Sequence, residues 1–176
     1  ICANLIDIKD GDEIIMPSYT FTSSANAFVN RGAKPVFIDI KLGTLNIDEN
    51  LIEQAITKST KAILVVHYAG VPCEMDKIMK IAKKYKLIVI EDAAQAIFSK
   101  YKKKYCGTIG DLGCFSFHET KNISCGEGGA LIINKNKYLK KASIYTNKGT
   151  NRENYMQDKK KFYSWIGSGS SSMPGD

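Results

Sequence analysis

Histidine, arginine and tryptophan are scarce in this sequence. Two histidines (His67 and His118), two arginines (Arg31 and Arg152) and one tryptophan stand among 176 residues. The histidines lie far apart and no C-x-x-C pair occurs, which argues against a zinc site, so no metal is expected. The five cysteines, Cys2, Cys73, Cys106, Cys114 and Cys125, are odd in number. They read as reduced thiols of a cytoplasmic protein, not as a disulfide framework. No apolar run approaches the ~18–20 residues of a membrane helix, and no basic-then-apolar signal segment opens the chain. No membrane partner is therefore expected.

The positive charge is carried by lysine. The formal net charge is +7, and many lysines fall on expected helix faces, as in residues 76–86. Without an arginine stripe and interleaved aromatics, this reads as a solvated lysine-rich surface, not as a nucleic-acid site. An anionic small substrate also suits this balance. With 44% hydrophobic and 24% charged residues, the composition is that of a globular domain with a sizeable core.

Short apolar runs alternate with helical patterns. Strands are expected at residues 13–17, 34–40, 61–66, 86–92, 114–117 and 129–134. Helices are expected at residues 18–30, 46–60 (Asp48 as N-cap, with Leu51, Ile52, Ala55 and Ile56 on one face), 74–85 and 136–147. The 86–92 run is almost wholly apolar, as a parallel strand covered on both faces requires. The alternation predicts an α/β fold with a doubly wound, mostly parallel sheet, in three α/β/α layers. Ligands in such sheets bind beyond the carboxyl ends of the strands. Asp92 and the 117–121 turn fall at such ends.

Two stretches carry chemistry. "VIEDAAQA" (residues 89–96) closes a buried strand on an acidic pair, with Gln95 a turn beyond Asp92. A carboxylate there could bind a metal, a ribose hydroxyl or a protonated ring nitrogen, or could cap the next helix. "CFSFHETKNISCGEGG" (residues 114–129) delivers Ser116, His118 and Lys121 from a short strand into a glycine-rich stretch. A lysine just past a strand end and walled by apolar elements loses its proton more easily than a surface lysine. Neutral lysine is the nucleophile that forms Schiff bases. An acid for a pyridinium nitrogen, a lysine, hydroxyls for a phosphate and an aromatic wall make the set that a pyridoxal 5′-phosphate (PLP) enzyme needs. Asp92, Lys121, Ser116 and Phe21 can supply it. His118 could meet substrate or a neighbouring subunit, or could pack at the strand end. His67 reads as structural, with its ring bonded to backbone. Thr120 and Asn122 could only fix the lysine's loop. Arg152 suits a phosphate or carboxylate, or is a surface arginine in a loop.

The stretches "GDEIIMPSYTFTSSANAFVNRGAKPVFIDI", "VVHYAGVPCEMDKIMKIAKKY", "VIEDAAQA" and "CFSFHETKNISCGEGG" together resemble the DegT/DnrJ-type nucleotide-sugar aminotransferases. These are fold-type I PLP enzymes of the aspartate aminotransferase superfamily. The resemblance runs from about residue 10 to residue 176. It implies that Lys121 is the Schiff-base lysine and that Asp92 is the acid on the pyridine nitrogen. Gln95 then meets the ring hydroxyl, Ser116 binds phosphate and Phe21 stacks on the ring. It also implies transamination of a nucleotide-linked 4-keto-6-deoxy sugar (dTDP-4-dehydro-6-deoxyglucose) with L-glutamate as donor, for cell-surface glycan biosynthesis. The active sites would be shared across a homodimer.

Family members carry a small-residue phosphate-binding segment before the position of Ile1 and a smaller C-terminal domain beyond Asp176. The chain opens on Ile1 in what reads as the end of a helix. The expectation is therefore one PLP-binding large domain over residues 1–176, incomplete at both ends. Residues 164–176 resemble the segment that leads into the family's next helix. Sugar 3-aminotransferases, other 4-aminotransferases and non-catalytic regulators share the scaffold. The sugar dehydratases replace the lysine by histidine, and Lys121 argues against them. A dinucleotide-binding domain would need a strand followed by G-x-G-x-x-G, which is missing.

Overall fold

The computed structural model of the protein describes residues 1–172. The last four residues of the tail, expected to lead into a further helix, lie outside the described residues. Residues 2–134 form one compact unit. Ile1 and the residues from Lys135 onward form a second.

The larger unit holds, in chain order, α1 (Cys2–Leu5), β1 (Glu13–Pro17), α2 (Thr22–Val29), β2 (Lys34–Ile38), β3 (Thr60–Val66), α3 (Met75–Tyr85), β4 (Ile88–Asp92), β5 (Lys100–Tyr101), β6 (Lys104–Tyr105), β7 (Leu112–Ser116) and β8 (Gly129–Ile133). Six strands make one sheet in the order β2-β1-β3-β4-β7-β8. All its pairings are parallel except β7 with β8. This is the expected α/β class.

Handedness fixes where the helices lie. The step from β1 through α2 to β2 runs one way across the sheet, and that from β3 through α3 to β4 runs the other. Right-handed crossovers in opposite directions put α2 and α3 on opposite faces. Side-chain alternation agrees. Ile15, Ile63, Val65 and Val89 pack with Met75, Ile78 and Ala82 of α3 in one core cluster. Their strand neighbours Ile14, Met16, Leu64 and Ile90, which must point the other way, are buried as well.

α3 shows why the apolar spacing works. Met75, Ile78 and Ala82 are its buried residues, Asp76 lies in its first turn, and Lys83 and Lys84 lie in its last. Those charges oppose the ends of the helix dipole. Lys86, at φ 56°, stops the helix in the left-handed region.

Two expected helices are corrected, and one hairpin is added. The helix expected over residues 46–60 is absent, and only a 3₁₀ turn at Glu53–Ala55 forms. Asp48 Oδ1 accepts from the Asn50 N–H at 3.0 Å and the Asn50 side-chain amide at 2.9 Å. Such a local bond offers the backbone an alternative to helix. Ile47 and Ile52 are nonetheless buried, which accounts for the helix-like apolar spacing. The helix expected over 18–30 begins only at Thr22, because Phe21 is extended (φ −73°, ψ 142°). The lysine-rich β5–β6 hairpin gave no apolar signal and was not expected.

In the second unit, a 3₁₀ turn (Asn136–Tyr138) leads into α4 (Leu139–Thr146), and α5 (Arg152–Met156) follows. The single helix expected over 136–147 is thus split. Gly149 (φ +75°) lies so close to the Gly167 carbonyl that a Cβ would stand 1.9 Å from it. No side chain larger than hydrogen fits there.

A buried carboxylate organises the middle of the sheet. Glu91 is 0% exposed and accepts four hydrogen bonds. Oε2 takes the His67 Nε2–H (2.9 Å) and the Gly107 N–H (2.8 Å). Oε1 takes the N–H groups of Ile109 and Gly110, both at 2.6 Å. His67 Nδ1 accepts from the Cys73 N–H at 3.1 Å, so the ring proton lies on Nε2, facing Glu91. His67 is structural, with a carboxylate partner as well as the expected backbone one. The four donors satisfy all the carboxylate's lone-pair directions. The turn at residues 107–110 is thereby tied beneath β4 and feeds β7.

Burial pushes the Glu91 carboxyl up. The His67 bond and the Gly110 and Gly107 N–H groups outweigh it, and the net pKa lies below the ordinary 4.5. The unfolded chain then binds a proton in acid that the folded chain refuses. Glu91 contributes stability that is present above about pH 4.5 and lost as pH falls through its lower folded value. Glu91→Gln should cost about 3–5 kcal/mol, because it turns an amide donor on backbone N–H groups in a buried site. In urea titrations the variant should unfold at lower denaturant at pH 7 and lose less stability on acidification than the parent. A variant as stable as the parent at pH 7 would contradict this role.

Candidate active site

The strand order creates a place for a ligand. The connections leaving β1 and β3 diverge to opposite faces, and a crevice opens between the carboxyl ends of such strands. Two adjoining hollows lie at these ends, of about 210 and 400 Å³. Both are lined by Phe21, Asp92, Ala94 and Lys121. The first adds Tyr19, Thr20, Val66, Tyr68 and Gln95. The second adds Ser116, His118 and the first turn of α2. Together they reach the ~300–1,000 Å³ typical of small-molecule sites.

Asp92 ends β4. Its side chain points to the face opposite Glu91, as the period of two dictates. Oδ2 accepts from the Ser24 hydroxyl at 2.7 Å, and Oδ1 accepts from the Ala94 N–H at 3.1 Å. Gln95 follows, with Oε1 accepting the Ala69 N–H at 2.7 Å. Its Nε2 keeps its protons to donate, and the residue lines the first hollow. Ala69 holds that N–H in a turn with positive φ (51°).

Lys121 rides on the loop after β7. The loop closes at its base, where the Phe117 N–H donates to the Gly128 carbonyl (2.8 Å) and the Cys125 N–H to the Phe117 carbonyl (3.0 Å). Within it the Lys121 N–H donates to the His118 carbonyl at 2.9 Å. Ser116 Oγ accepts the His118 N–H at 3.3 Å and keeps its own proton to donate. His118 is half-buried, with Nδ1 3.0 Å from Thr120 Oγ1 and Nε2 3.5 Å from Glu127 Oε1.

Phe21, at the mouth, leaves 75% of its surface exposed. Tyr19 and Tyr68 meet edge to face at 5.1 Å, with their hydroxyls 3.3 Å apart. Thr20 Oγ1 is buried with no hydrogen-bond partner.

Seven of the residues singled out from the sequence thus converge here: Phe21, Asp92, Gln95, Ser116, His118, Thr120 and Lys121. Arg152 is exposed at the start of α5, in the second unit. Sequence reading missed Tyr19, Thr20, Tyr68 and Ser24. Ser24 is placed there by its position in the first turn of α2, next to the extended Phe21.

The cysteines carry no evident chemistry. Burial, and next among the groups of this unit the Asp92 charge, push the Cys114 thiol well up. Burial and the Glu91 charge raise Cys106 to about 11. Among the described residues no group of three or more His, Cys, Asp or Glu side chains could hold a metal ion.

Known proteins resemble this chain in sequence and in fold. Escherichia coli O157:H7 GDP-perosamine synthase is 47% identical over 129 residues, covering 73% of this chain and 35% of that protein. The X-ray structure of an aminotransferase from Psychrobacter cryohalolentis superimposes with a TM-score of 0.88 at 38% identity, over 97% of this chain and 44% of that one. A Streptococcus pneumoniae protein solved in a PLP form matches with a TM-score of 0.83 at 28% identity, over 96% of this chain and 46% of that one. The chain spans between 35% and 40% of the length of the curated relatives it matches. Residues 1–171 match the DegT/DnrJ/EryC1/StrS aminotransferase family, and the chain belongs to it.

Proposed function

We propose that this chain binds PLP and serves in the transamination of a nucleotide-linked 4-keto-6-deoxy sugar, with L-glutamate as amino donor. The observation that carries the reading is that Asp92, at the end of β4, and Lys121, on the loop after β7, line the same two hollows. The surrounding residues fit such a cofactor. Phe21 offers an open ring face, Gln95 Nε2 and the Ser116 hydroxyl keep protons to donate, and Thr20 Oγ1 lacks a partner.

When bound, PLP draws electrons from the carbon beside an amino nitrogen through its protonated pyridine ring. Asp92 holds the proton on the ring nitrogen by charge pairing in a crevice of low dielectric. Gln95 Nε2 would donate to the ring hydroxyl, Ser116 would donate to the phosphate, and Phe21 would cover one face of the ring. Lys121 Nζ holds the cofactor covalently. Once the donor's amino group had displaced it from the cofactor, the freed Lys121 amine would take the proton from the donor's α-carbon. His118 borders the second hollow and is assigned to substrate. Arg152 is assigned to an anionic group of substrate, since its planar fork matches phosphate and carboxylate.

The preferred substrate is dTDP-4-dehydro-6-deoxyglucose, which makes the activity that of dTDP-4-amino-4,6-dideoxygalactose transaminase in cell-surface glycan biosynthesis. The phrases "HYAGVPCEMD", "SFHETKN" and "NKGTNR" favour it. A GDP-linked 4-keto sugar is the second reading, favoured by the likeness to GDP-perosamine synthase. Both compact units are read as parts of one PLP-binding domain over residues 1–176, in a cytoplasmic homodimer. No helix among the described residues is long and apolar enough to cross a membrane.

Two outcomes are expected. Borohydride reduction of the protein with PLP should fix the cofactor on the peptide containing Lys121, and Lys121→Ala should abolish that labelling. Labelling that persists in the variant refutes the assignment. Protein loaded with pyridoxamine phosphate should return to the PLP form when dTDP-4-dehydro-6-deoxyglucose is added. A response to the GDP-linked sugar alone would replace the first substrate by the second.

A further inference from the structure

Asp92 has to present its carboxylate edge to a ring nitrogen, yet the terminal torsion of an aspartate is a broad, roughly two-fold rotor. Something must set it. The Ala94 N–H reaches Oδ1 at 3.1 Å from the same chain segment, so it moves with Asp92. The Ser24 hydroxyl reaches Oδ2 at 2.7 Å from α2, 68 residues away in sequence. It ties the carboxylate to a separate element, and the two bonds hold opposite oxygens.

Phe21 is the extended residue that caps the helix making this contact. The Ser24 N–H donates to the Phe21 carbonyl at 3.0 Å, so the capping residue is tied to the first turn of α2. That turn has no side-chain cap and no acidic residue, and a carboxylate beside it is electrostatically favoured. Both Ser24 and Phe21 line the second hollow with Asp92 and Lys121.

We propose that Ser24 is a positioning residue for the cofactor acid: its hydroxyl fixes the orientation of the Asp92 carboxylate and ties it to the turn that presents the Phe21 ring. The inference rests on the PLP reading and deepens it. Ser24 is assigned a role through Asp92 and none at the reacting atoms. It acts through Asp92, by donating its proton to Oδ2 and leaving the remaining lone pairs of the carboxylate to the ring N–H. A hydroxyl is what the role demands, so threonine can fill it, whereas alanine and cysteine cannot.

The test is PLP titration of the purified protein, followed by the absorption of the bound cofactor, for the parent, Ser24→Ala, Ser24→Cys and Ser24→Thr. Ser24→Ala and Ser24→Cys should each weaken PLP about tenfold, the loss expected for one hydrogen bond to a charged group. Ser24→Thr should bind within about twofold of the parent on the same scale. The thermal midpoints measured without PLP separate a general loss of fold from a loss at the site. Parent-like binding by the alanine or cysteine variant overturns the inference. So does a threonine variant as weak as alanine with an unchanged midpoint. Those results leave the PLP reading standing, provided the parent binds. A parent that takes up no PLP overturns both.

Discussion

Burying a carboxylate costs several kcal/mol unless its lone pairs are met, and Glu91 meets that demand with three backbone N–H groups and one imidazole. The cost and its compensation explain why the middle of the sheet is fixed. The donors come from β3's end and from the turn at residues 107–110, so neither can shift without exposing the charge. Asp111 and Asn134 reinforce the same turn. The Val89 N–H donates to Asp111 Oδ2 at 2.9 Å, and Asn134 Nδ2 donates to the carbonyls of Gly107 and Gly110. β7 therefore starts from a defined point beside β4, and Gly113 lets it pass so close to Gly107 that a Cβ would lie 2.2 Å from the Gly107 carbonyl. The lysine loop at the far end of β7 inherits that placement.

The site is then a consequence of strand geometry. Glu91 and Asp92 are neighbours with opposite duties because side chains alternate along a strand. One closes the core on the α3 side. The other emerges on the α2 side, where Ser24 meets it. The crossovers diverge between β1 and β3, which leaves room at their ends for Tyr19, Thr20, Phe21, Val66 and Tyr68 to line one hollow. Chemistry is concentrated where the backbone connections part, as is general for open α/β sheets.

Much of this was legible in the sequence because it rests on local signals. The apolar run at 61–66 sits within strand Thr60–Val66, and the run at 86–92 contains strand Ile88–Asp92, which starts two residues later because Lys86 ends α3 in the left-handed region. Asp92, Lys121 and Ser116 stood out by the motifs around them. The failures came where one local signal hid another. Residues 46–60 carry helical apolar spacing, but the Asp48 side chain turns the backbone first. Residues 18–21 look like the start of a helix of small residues, yet residues 18–20 bend, Phe21 is extended, and Tyr19, Thr20 and Phe21 line the crevice. The Ser24–Asp92 bond spans 68 residues, and no single-sequence pattern states a contact of that range. The hairpin of β5 and β6 consists of lysines and tyrosines, without the alternation that marks a half-buried strand.

The account stands on Lys121 and Asp92 gripping opposite ends of one pyridine ring. A crystal structure of the protein with PLP measures this directly. Continuous density from Lys121 Nζ into the cofactor, with an Asp92 oxygen within about 3 Å of the ring nitrogen, is the predicted result. A cofactor bound elsewhere, or one whose ring nitrogen faces away from Asp92, would contradict it.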